Sequence, residues 1–369
     1  MSEATPSAAG VSIRVAGTDD RRDQAALYDT CFGAQDGGEI LSWRYDRNPH
    51  GASLSLVART GEGRAVAGYA SSPRVVLHRG QEYEGALVGQ TGDVMTHPDH
   101  RRQGLFASLD REAVQQTTER GWPVLFGLPN RSSAHIFTGE LGWKAVGRIR
   151  PWTFVLHVDA AAREQRMRAG RLAAAGVRWS FWRGSMRRGK LRTRSFDKVN
   201  VVPLSRFDAS VDEVAASVSA DWPWMVRRDH VYLNWRFLDA PSGRFQAQGA
   251  FDLAGRTVGY VVVQLPAAGE KLGYLADLLG LDPTAVAALV EVALRHLHKA
   301  GASVVRAHAI AGSWWERILR GAGFRAGKRD DFKLVIVHQN DPGHPLAEAA
   351  LDPSSWYFTD GDRDDELVR

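Results

Sequence analysis

Apolar positions along this chain switch between the spacing of buried strands and the spacing of helices. Residues 87–96 and 124–128 are short stretches rich in apolar residues, which are typical of strands inside a sheet. Between them, Leu105, Leu109 and Ala113 recur at helical spacing, and Gly121 follows as a helix stop. The pattern predicts a strand over 87–96, a helix over 104–120 and a strand over 124–128.

Similar patterns flank this segment on both sides. Before it we expect a helix over 20–32 and strands over 54–58 and 65–70. After it we expect a helix over 132–141 and a strand over 152–158. The order joins antiparallel strands to strand–helix–strand units, which indicates an α/β fold with an α+β mixed sheet.

The sequence also contains an internal repeat. LSWRYDRNPHG at 41–51 matches LNWRFLDAPSG at 233–243, and each is followed by a predicted strand pair. Gly68-Tyr69 matches Gly259-Tyr260 at nearly the same offset. The predicted elements of the second copy are strands over 274–279, 303–309 and 332–338 and helices over 283–299 and 314–320. Because each copy is about 150 residues long, the repeat is a domain duplication and not a solenoid.

The repeat divides the chain into five predicted parts. We expect a disordered tail over 1–10, an N-terminal domain over 11–158, a basic linker over 159–195, a C-terminal domain over 196–340 and an acidic tail over 341–369.

Composition narrows the class of protein. The hydrophobic fraction of 44% is that of a globular protein, and no apolar run approaches the roughly 20 residues of a membrane helix. The N-terminus has neither a basic nor an apolar region of a secretory signal, so we expect a cytoplasmic protein. With a single cysteine, Cys31, the chain has no intramolecular disulfide and no cysteine-rich metal site, and we expect no metal cofactor.

The net charge of +5 is spread unevenly. Residues 162–194 combine many Arg and Lys residues with Trp179, Phe181 and Trp182. This composition fits a solvated linker, and it also fits a surface for RNA, an anionic membrane or a phosphorylated ligand. We favour the linker, because no nucleic-acid-binding module surrounds the stretch.

Residues 92–106 combine a predicted strand end, a basic turn with Gly104, and a helix start. A helix N-terminus presents unpaired N–H groups and a positive dipole end, so it can hold a phosphate. Arg101 and Arg102 add positive charge where an anion would lie. Asp93 lies upstream on the strand, where a carboxylate can take a proton from a reacting amine.

The motif T-x-P-x-x-R-R-Q-G-L-F at 96–106 resembles the acetyl-CoA loop of the GNAT superfamily of N-acetyltransferases. Asn130 and the later Leu141-Gly142-Trp143 resemble the motif that follows the loop in that family. The resemblance implies a tandem duplicated GNAT-like acyl-CoA N-acyltransferase fold. It also implies acetyl-CoA as the acyl donor.

The resemblance assigns roles residue by residue. The backbone of Met95 and Thr96 would pair with the pantetheine arm, amides from Arg102 to Phe106 would hold the diphosphate, and Asp93 would be the proton acceptor. The implied cofactor-binding set is Met95, Thr96, Arg101, Arg102, Gln103, Gly104, Leu105, Phe106 and Asn130.

The sequence departs from the family pattern at two positions. Phe106 stands where the loop usually ends in Gly or Ala, which is tolerable if its ring turns into the core. Thr138 stands where the family commonly has a thiol-protonating Tyr. Since Thr is a poor acid, His135 on the same predicted helix is the next candidate for that role, although a surface histidine is the simpler interpretation.

The second copy has no such loop. Asp282 and Pro283 lead straight into its helix, with no glycine turn and no arginine for a diphosphate. We therefore expect this half not to bind CoA in the usual way, and instead to complete the acceptor pocket or to pack against the first half. Asp277 is expected to occupy the place of Asp93.

The sequence thus predicts an acetyl-CoA-dependent N-acetyltransferase that acts on the primary amine of a small molecule, such as an amino sugar, an amino acid derivative or an antibiotic-like compound. Residues of the repeated Leu-x-Trp-Arg motif are candidates for the acceptor pocket. One alternative is a CoA-binding scaffold without catalysis, and a less favoured one is an aminoacyl-tRNA-dependent transferase with the same tandem fold. No nucleic acid or membrane insertion is expected, and a homodimer is compatible with the sequence.

Overall fold

One mixed sheet of 14 strands runs through the described part of the chain in the computed structural model, which covers residues 5–6, 10–157, 198–328 and 330–364. Its strands follow the order β1-β2-β3-β4-β6-β7-β16-β8-β14-β13-β12-β11-β9, with β15 beside β8. A second sheet of three strands has the order β17-β10-β5. The predicted mixed α/β fold class is confirmed.

The strands have these bounds: β1 Thr5–Pro6, β2 Val11–Val15, β3 Leu54–Thr60, β4 Ala65–Arg74, β5 Val76–Leu77, β6 Val88–Thr96, β7 Val124–Gly127, β8 Lys144–Val155, β9 Asn200–Leu204, β10 Trp224–Val226, β11 Phe245–Phe251, β12 Thr257–Gln264, β13 Leu272–Gly280, β14 Val304–Ile310, β15 Arg325–Ala326, β16 Lys333–Gln339 and β17 Trp356–Tyr357. The α-helices are α1 Arg21–Phe32, α2 Gly37–Leu41, α3 Leu105–Glu119, α4 Arg131–Glu140, α5 Ser210–Ser219, α6 His230–Leu233, α7 Pro283–Lys299, α8 Trp314–Ala322 and α9 Pro345–Ala349.

The two copies of the repeat meet through their Leu-x-Trp-Arg motifs. Each motif forms a π-helical turn, Ser42–Asp46 in the first copy and Asn234–Leu238 in the second. The indole of Trp43 donates to the carbonyl of Trp235 at 2.9 Å, and that of Trp235 donates to the carbonyl of Trp43 at 3.0 Å. Their rings stack with centroids 4.9 Å apart. The repeated motif therefore joins the halves through reciprocal contacts.

The halves also exchange their last strands. β16, from the second half, pairs with β7 of the first, and β8, from the first half, pairs with β14 of the second. β8 and β16 pair with each other at the centre of the large sheet. β8 begins at Lys144, eight residues before the predicted start of 152, because this longer strand spans both exchanged neighbours.

Residues 356–364, which we call the strap, pack into the fold instead of forming a free acidic tail. Trp356, Tyr357 and Phe358 are buried, and so are Asp360 and Asp362. The apolar side chains enter the largest core cluster, which draws on both halves. Burial of aromatic surface outweighs the acidity of this segment because its carboxylates find internal donors.

Two other expectations concern the edges of the described chain. The basic segment 162–194 lies outside the described residues, as does most of the predicted tail 1–10. None of the helices in the described ranges has the length and apolar character to cross a membrane.

Candidate active site

The first half contains an opening where two parallel strands separate. β6 and β7 pair from Val88 and Val124 as far as Thr91 and Gly127. Beyond this point β6 continues through Gly92 to Thr96, while β7 ends and the chain turns into α4. Backbone groups that face such an opening have lost their ladder partner, so a ligand can pair with them.

A bulge in β6 lies at this opening. Gly68 is opposite Met95 and Ala70 is opposite Gly92, so β6 has one residue more than β4 between these pairs. Asp93 lies in the bulge with a φ of 50°, a left-handed conformation that is rare outside glycine. The bulge turns the Asp93 side chain towards the π-helical turn of the first half.

Asp93 is held there by two buried side chains. Nη1 of Arg44 donates to both carboxylate oxygens at 2.5 Å, and the hydroxyl of Tyr45 donates to Oδ2 at 2.9 Å. Burial opposes the charge of Arg44, but the facing carboxylate more than offsets this and raises its pKa. Burial and Asp93 together raise the pKa of Tyr45. Asp93, Arg44 and Tyr45 thus form one buried cluster at the bulge.

A basic loop connects β6 to the N-terminus of α3. A short turn, Pro98–His100, starts it, and Arg102 and Gly104 both adopt positive φ, 61° and 75°. Arg101, Arg102 and Gln103 are exposed. Gly104 is the N-cap residue of α3, and no side chain caps the first turn of this 15-residue helix. The N–H groups of this first turn are thus available to an anion, and two arginines closely precede them in the chain.

The corresponding helix of the second half is closed. At the N-terminus of α7, Asp282 accepts hydrogen bonds from the amides of Thr284 at 2.6 Å and Ala285 at 2.9 Å, and Pro283 occupies the first turn. A carboxylate of the chain itself thus occupies the place where an anion would bind.

The strand opening of the second half is filled as well. β13 and β14 pair only as far as Tyr274 and Arg306, and the strap lies beyond this point. The backbone N–H of His308 donates to Asp360 at 2.6 Å, and the hydroxyl of Thr359 donates to Asp277 at 2.6 Å. The second half therefore satisfies internally the groups that the first half leaves open.

The register corrects the expected equivalence of Asp277 and Asp93. Asp277 is opposite Val262, two residues after Tyr260, whereas Thr91 is opposite Ser71, two residues after Tyr69. Asp277 therefore corresponds to Thr91. The side-chain contacts support this equivalence, since the hydroxyl of Tyr260 contacts Asp277 and that of Tyr69 contacts Thr91. The sequence comparison failed here because the bulges lie at different positions in β6 and β13.

Asn130 and His135 lie on the other side of the opening, at and after the start of α4. Asn130 is the N-cap residue, and its Oδ1 accepts from the amides of Ser132 at 2.9 Å and Ser133 at 3.0 Å. His135 is exposed one turn further along the helix. The hydroxyl of Thr138 donates to the carbonyl of Ala134 at 2.9 Å. The roles implied for Asn130 and His135 stay predictions.

Apolar residues of the loop support its position. Leu105 is buried, and the ring of Phe106 packs edge-on against Phe137 with centroids 5.0 Å apart. The expectation that Phe106 turns into the core is confirmed. Met95 fills the space above Gly68, where a β-carbon would lie 2.6 Å from its Cε. Met95 therefore leaves no room for a side chain at its neighbour Gly68 in β4.

Sequence reasoning missed a buried carboxylate on α3. Asp110 accepts from the hydroxyl of Tyr69 at 3.0 Å and from the indole of Trp143 at 3.2 Å. Burial raises its pKa to about 6. The signal in the sequence was an aspartate next to the apolar face of the predicted helix, which indicates a buried carboxylate. The group ties α3 to β4 and to the start of β8 behind the opening.

Comparisons with known proteins agree with this geometry. The family described as acetyltransferase (GNAT) domain matches residues 12–146. A search of curated proteins gives no match.

Several solved structures share the fold over most of the chain. A probable N-acyltransferase of unknown function from Enterococcus faecalis V583 has a TM-score of 0.64 at 12% identity, over 90% of this chain and 73% of the other. A GCN5-related N-acetyltransferase from Anabaena variabilis has 0.62 at 12% identity, over 89% and 73%. The N-myristoyltransferase of Saccharomyces cerevisiae, solved with bound myristoyl-CoA, has 0.61 at 13% identity, over 91% and 80%. At these identities the likeness concerns the fold.

Proposed function

We propose that this chain is an N-acyltransferase of the GNAT superfamily and that it transfers the acetyl group of acetyl-CoA to the primary amine of a small molecule. The match of the acetyltransferase (GNAT) domain family to residues 12–146 supports this proposal. The acyl donor would be held by the first half alone. The second half would complete the acceptor side of the site.

The observation that carries the proposal is the uncapped N-terminus of α3 beside the opening of β6. Gly104 leaves the first-turn amides without a side-chain cap, and Arg101 and Arg102 are exposed next to them. A diphosphate fits these groups because it carries charge that both the helix dipole and the guanidinium groups stabilise. The closed α7 of the second half supports the assignment of the donor to the first half.

Met95 and Thr96 would orient the donor's pantetheine arm. They lie on β6 beyond its last pair with β7, so their outward backbone groups can extend the sheet by one strand. Asn130 lies across the opening, where its side-chain amide group can reach the arm. When bound, acetyl-CoA supplies a thioester whose carbonyl carbon is open to attack.

The acceptor amine must lose a proton before it attacks. The nitrogen then forms a bond to the acetyl carbon and gives up a second proton to solvent, the C–S bond breaks, and the thiolate takes up a proton. Asp93 is the sequence-predicted proton acceptor, and His135 is the candidate donor to the thiolate. The ion pair between Asp93 and Arg44 also holds the bulge of β6 against the π-helical turn.

The direct test is acetyl transfer by the full chain to a panel of amino sugars, amino acid derivatives and amine-bearing antibiotics, followed as release of free CoA. Acetyl-CoA, propionyl-CoA and myristoyl-CoA are compared as donors, and we expect acetyl-CoA to be preferred. Binding of CoA without turnover on any amine would support the scaffold alternative. Absence of CoA binding would contradict the proposal.

A further inference from the structure

We infer that Arg74 binds a carboxylate group of the acceptor, and that the acceptor is therefore an amino acid derivative whose reacting amine lies several bonds from its carboxylate. This inference rests on the proposed function and narrows its acceptor to one chemical class. It also gives a role to buried polar groups at the contact between the two halves.

Arg74, at the end of β4, is a buried cation without a carboxylate partner in the described part of the chain. The residue is 4% exposed. Its hydrogen bond goes to the carbonyl of Pro73 at 2.9 Å, and its Nε is buried without an acceptor. Its Cζ lies 5.8 Å from the ring centroid of Trp235. A buried positive charge of this kind costs free energy until an anion balances it.

Two neutral donors near Arg74 also lack partners. The ring of Tyr232 lies 5.5 Å from that of Trp235, and the ring of His50 stacks on Tyr232 with centroids 4.5 Å apart. Burial, and then the positive charge of Arg74, lower the pKa of His50, so this ring is neutral. Its Nδ1 accepts from the amide of Val75 at 3.2 Å, which leaves the proton on Nε2. That Nε2 and the hydroxyl of Tyr232 are buried without a partner among the described residues, and a carboxylate accepts from such groups.

Arg236 adds positive charge from the second half. It occupies the position in the repeated motif that Arg44 occupies in the first half. Arg44 is paired with Asp93, whereas Arg236 donates to two backbone carbonyls of the strap. Burial lowers the pKa of Arg236 to about 10, and the charges of Arg74 and Arg44 act in the same direction, although Asp362 opposes them. Positive charge therefore accumulates where the halves meet.

A series of contacts joins Arg74 to the Asp93 cluster. Arg44, which binds Asp93, has its backbone carbonyl 3.4 Å from the donating hydroxyl of Ser53. The same hydroxyl lies 2.9 Å from that of Ser72. Ser72 and Arg74 are two residues apart on β4, so their side chains lie on the same face of the sheet. The unpaired cation and the proposed reaction centre thus share one face.

The length of β4 between these two points sets the size of the acceptor. Ala70 is opposite Gly92, the residue before Asp93, and Arg74 lies four residues further along the strand. This separation is about 13 Å between α-carbons at the rise of a β-strand. An α-amino acid has one carbon between its nitrogen and its carboxylate, so it is too short even when the Arg74 side chain covers part of the distance. The acceptor amine must therefore lie at the end of a longer chain.

A polar pair of residues lies between the two points. Gln90 of β6 is opposite Ser72 of β4. Nε2 of Gln90 donates to the carbonyl of Asp362 at 2.7 Å, while its Oε1 is buried and accepts from no group in the described ranges. An N–H or O–H group along the acceptor can donate to this oxygen. The face between Asp93 and Arg74 therefore suits a chain that carries polar groups.

The test uses two acceptors of equal length with the full chain. One is ε-aminocaproate, and the other is the matching amino alcohol, in which a hydroxymethyl group replaces the carboxylate. Arg74→Gln removes the charge, and Tyr232→Phe removes one hydroxyl donor. Arg22→Gln is the control, because it makes the same charge change at an exposed residue of α1. The values of kcat/KM for both acceptors and the KM for acetyl-CoA are measured.

We expect the wild-type protein to prefer ε-aminocaproate over the amino alcohol at least 10-fold in kcat/KM. Arg74→Gln should lower kcat/KM for ε-aminocaproate at least 10-fold more than for the amino alcohol, with the KM for acetyl-CoA within twofold of wild type. A general loss of structure would affect both acceptors equally. Tyr232→Phe should raise the KM for ε-aminocaproate about 3–10-fold, and Arg22→Gln should change neither acceptor.

Equal use of the two acceptors by the wild type, or an unchanged preference in Arg74→Gln, would overturn the inference. If Arg74→Gln does not fold, Tyr232→Phe decides, because its lost hydroxyl makes no hydrogen bond within the described structure. If the wild type acetylates no amine, the proposed function fails, and melting temperatures then decide the binding of the carboxylate. ε-Aminocaproate, and not the amino alcohol, should raise the melting temperature of the wild type and not that of Arg74→Gln. Absence of this difference would overturn the carboxylate site as well.

Discussion

Asp93 combines an unfavourable backbone conformation with a strong ion pair. A φ of 50° at a residue with a β-carbon costs of order 1–3 kcal/mol and persists only where the surroundings impose it. Here Arg44 and Tyr45 supply three hydrogen bonds to the carboxylate. We interpret Asp93 first as the residue that fixes the bulge, and its role as proton acceptor stays a prediction.

Replacing Asp93 with Asn separates these roles. Arg44 would lose its counterion, and we expect kcat/KM to fall at least 10-fold and the free energy of unfolding to fall by about 1–3 kcal/mol. Rates across the pH range decide the assignment. A variant that keeps the acid limb of the wild-type profile places Asp93 in positioning, whereas loss of that limb would identify it as the proton acceptor.

Asp110 gives the molecule a pH-dependent stability. Burial raises its pKa to about 6 from 3.8, so its neutral form is favoured in the folded protein. Its stabilising contribution is complete below about pH 4 and is lost as the pH rises through about 6. Relative to Asp110→Asn, the wild-type protein should lose up to about 3 kcal/mol between pH 4 and 7.5.

Urea unfolding at several pH values measures this difference. Asn can keep both contacts. Its side-chain oxygen accepts from the indole of Trp143, and its NH2 group donates to the hydroxyl oxygen of Tyr69, whose proton then turns towards Thr91. A pH-independent difference between the two proteins would contradict the assigned pKa.

At the scale of elements, α3 and α7 are one element used in two ways. Both follow a sheet strand and precede a short parallel strand, but α3 starts at an uncapped glycine and α7 at a capping aspartate followed by proline. This difference was predictable from the sequence because caps and turns are local. It determines which half can hold an anion.

The strap is the element that local patterns did not predict. Its aspartates indicated an acidic tail, but each buried carboxylate has a partner distant in sequence, such as His308 for Asp360 and Arg228 for Asp362. Such partners depend on the topology of the fold. The periodicity of hydrophobic positions and the secondary-structure propensities of the residues do not reveal that topology. For the same reason the sequence revealed the loop of the first half but not the contact of Arg44 with Asp93.

Asp360→Ala tests how firmly the strap is held. The change removes the acceptor of the buried N–H of His308 and one hydrogen-bond acceptor of Arg363. We expect a loss of about 2–4 kcal/mol in the free energy of unfolding. Chemical denaturation measures it, with Asp221→Ala as an exposed control expected within about 0.5 kcal/mol of wild type. Equal stability of the two variants would show that the strap contributes little.

At the scale of the whole molecule, strand exchange makes the halves interdependent. β7 needs β16 as its neighbour, and β14 needs β8, so each half completes the sheet of the other. The duplication was visible in the sequence. The exchange of strands was not visible. Each copy has the same sequence pattern whether its last strand pairs within its own half or with the other half.

A fragment of residues 1–158 should therefore not fold alone. Without β16, the edge of β7 and the apolar face beneath it are exposed. Co-expression with residues 196–369 should restore a soluble complex, and circular dichroism with size-exclusion chromatography measures both results. A first-half fragment that unfolds cooperatively by itself would contradict the interdependence.

The central claim is that one acyl-CoA site exists per chain, at the uncapped N-terminus of α3. Calorimetric titration of CoA tests it most directly. The Gly104→Val variant strains the loop, because Gly104 has a φ of 75° that a β-branched residue rarely adopts. The control is Gly121→Val, which introduces the same strain at a φ of 73° just after the same helix. We expect one site in the wild type, affinity at least 10-fold weaker in Gly104→Val, and little change in Gly121→Val. Two sites per chain, or equal affinity in the two variants, would contradict the account.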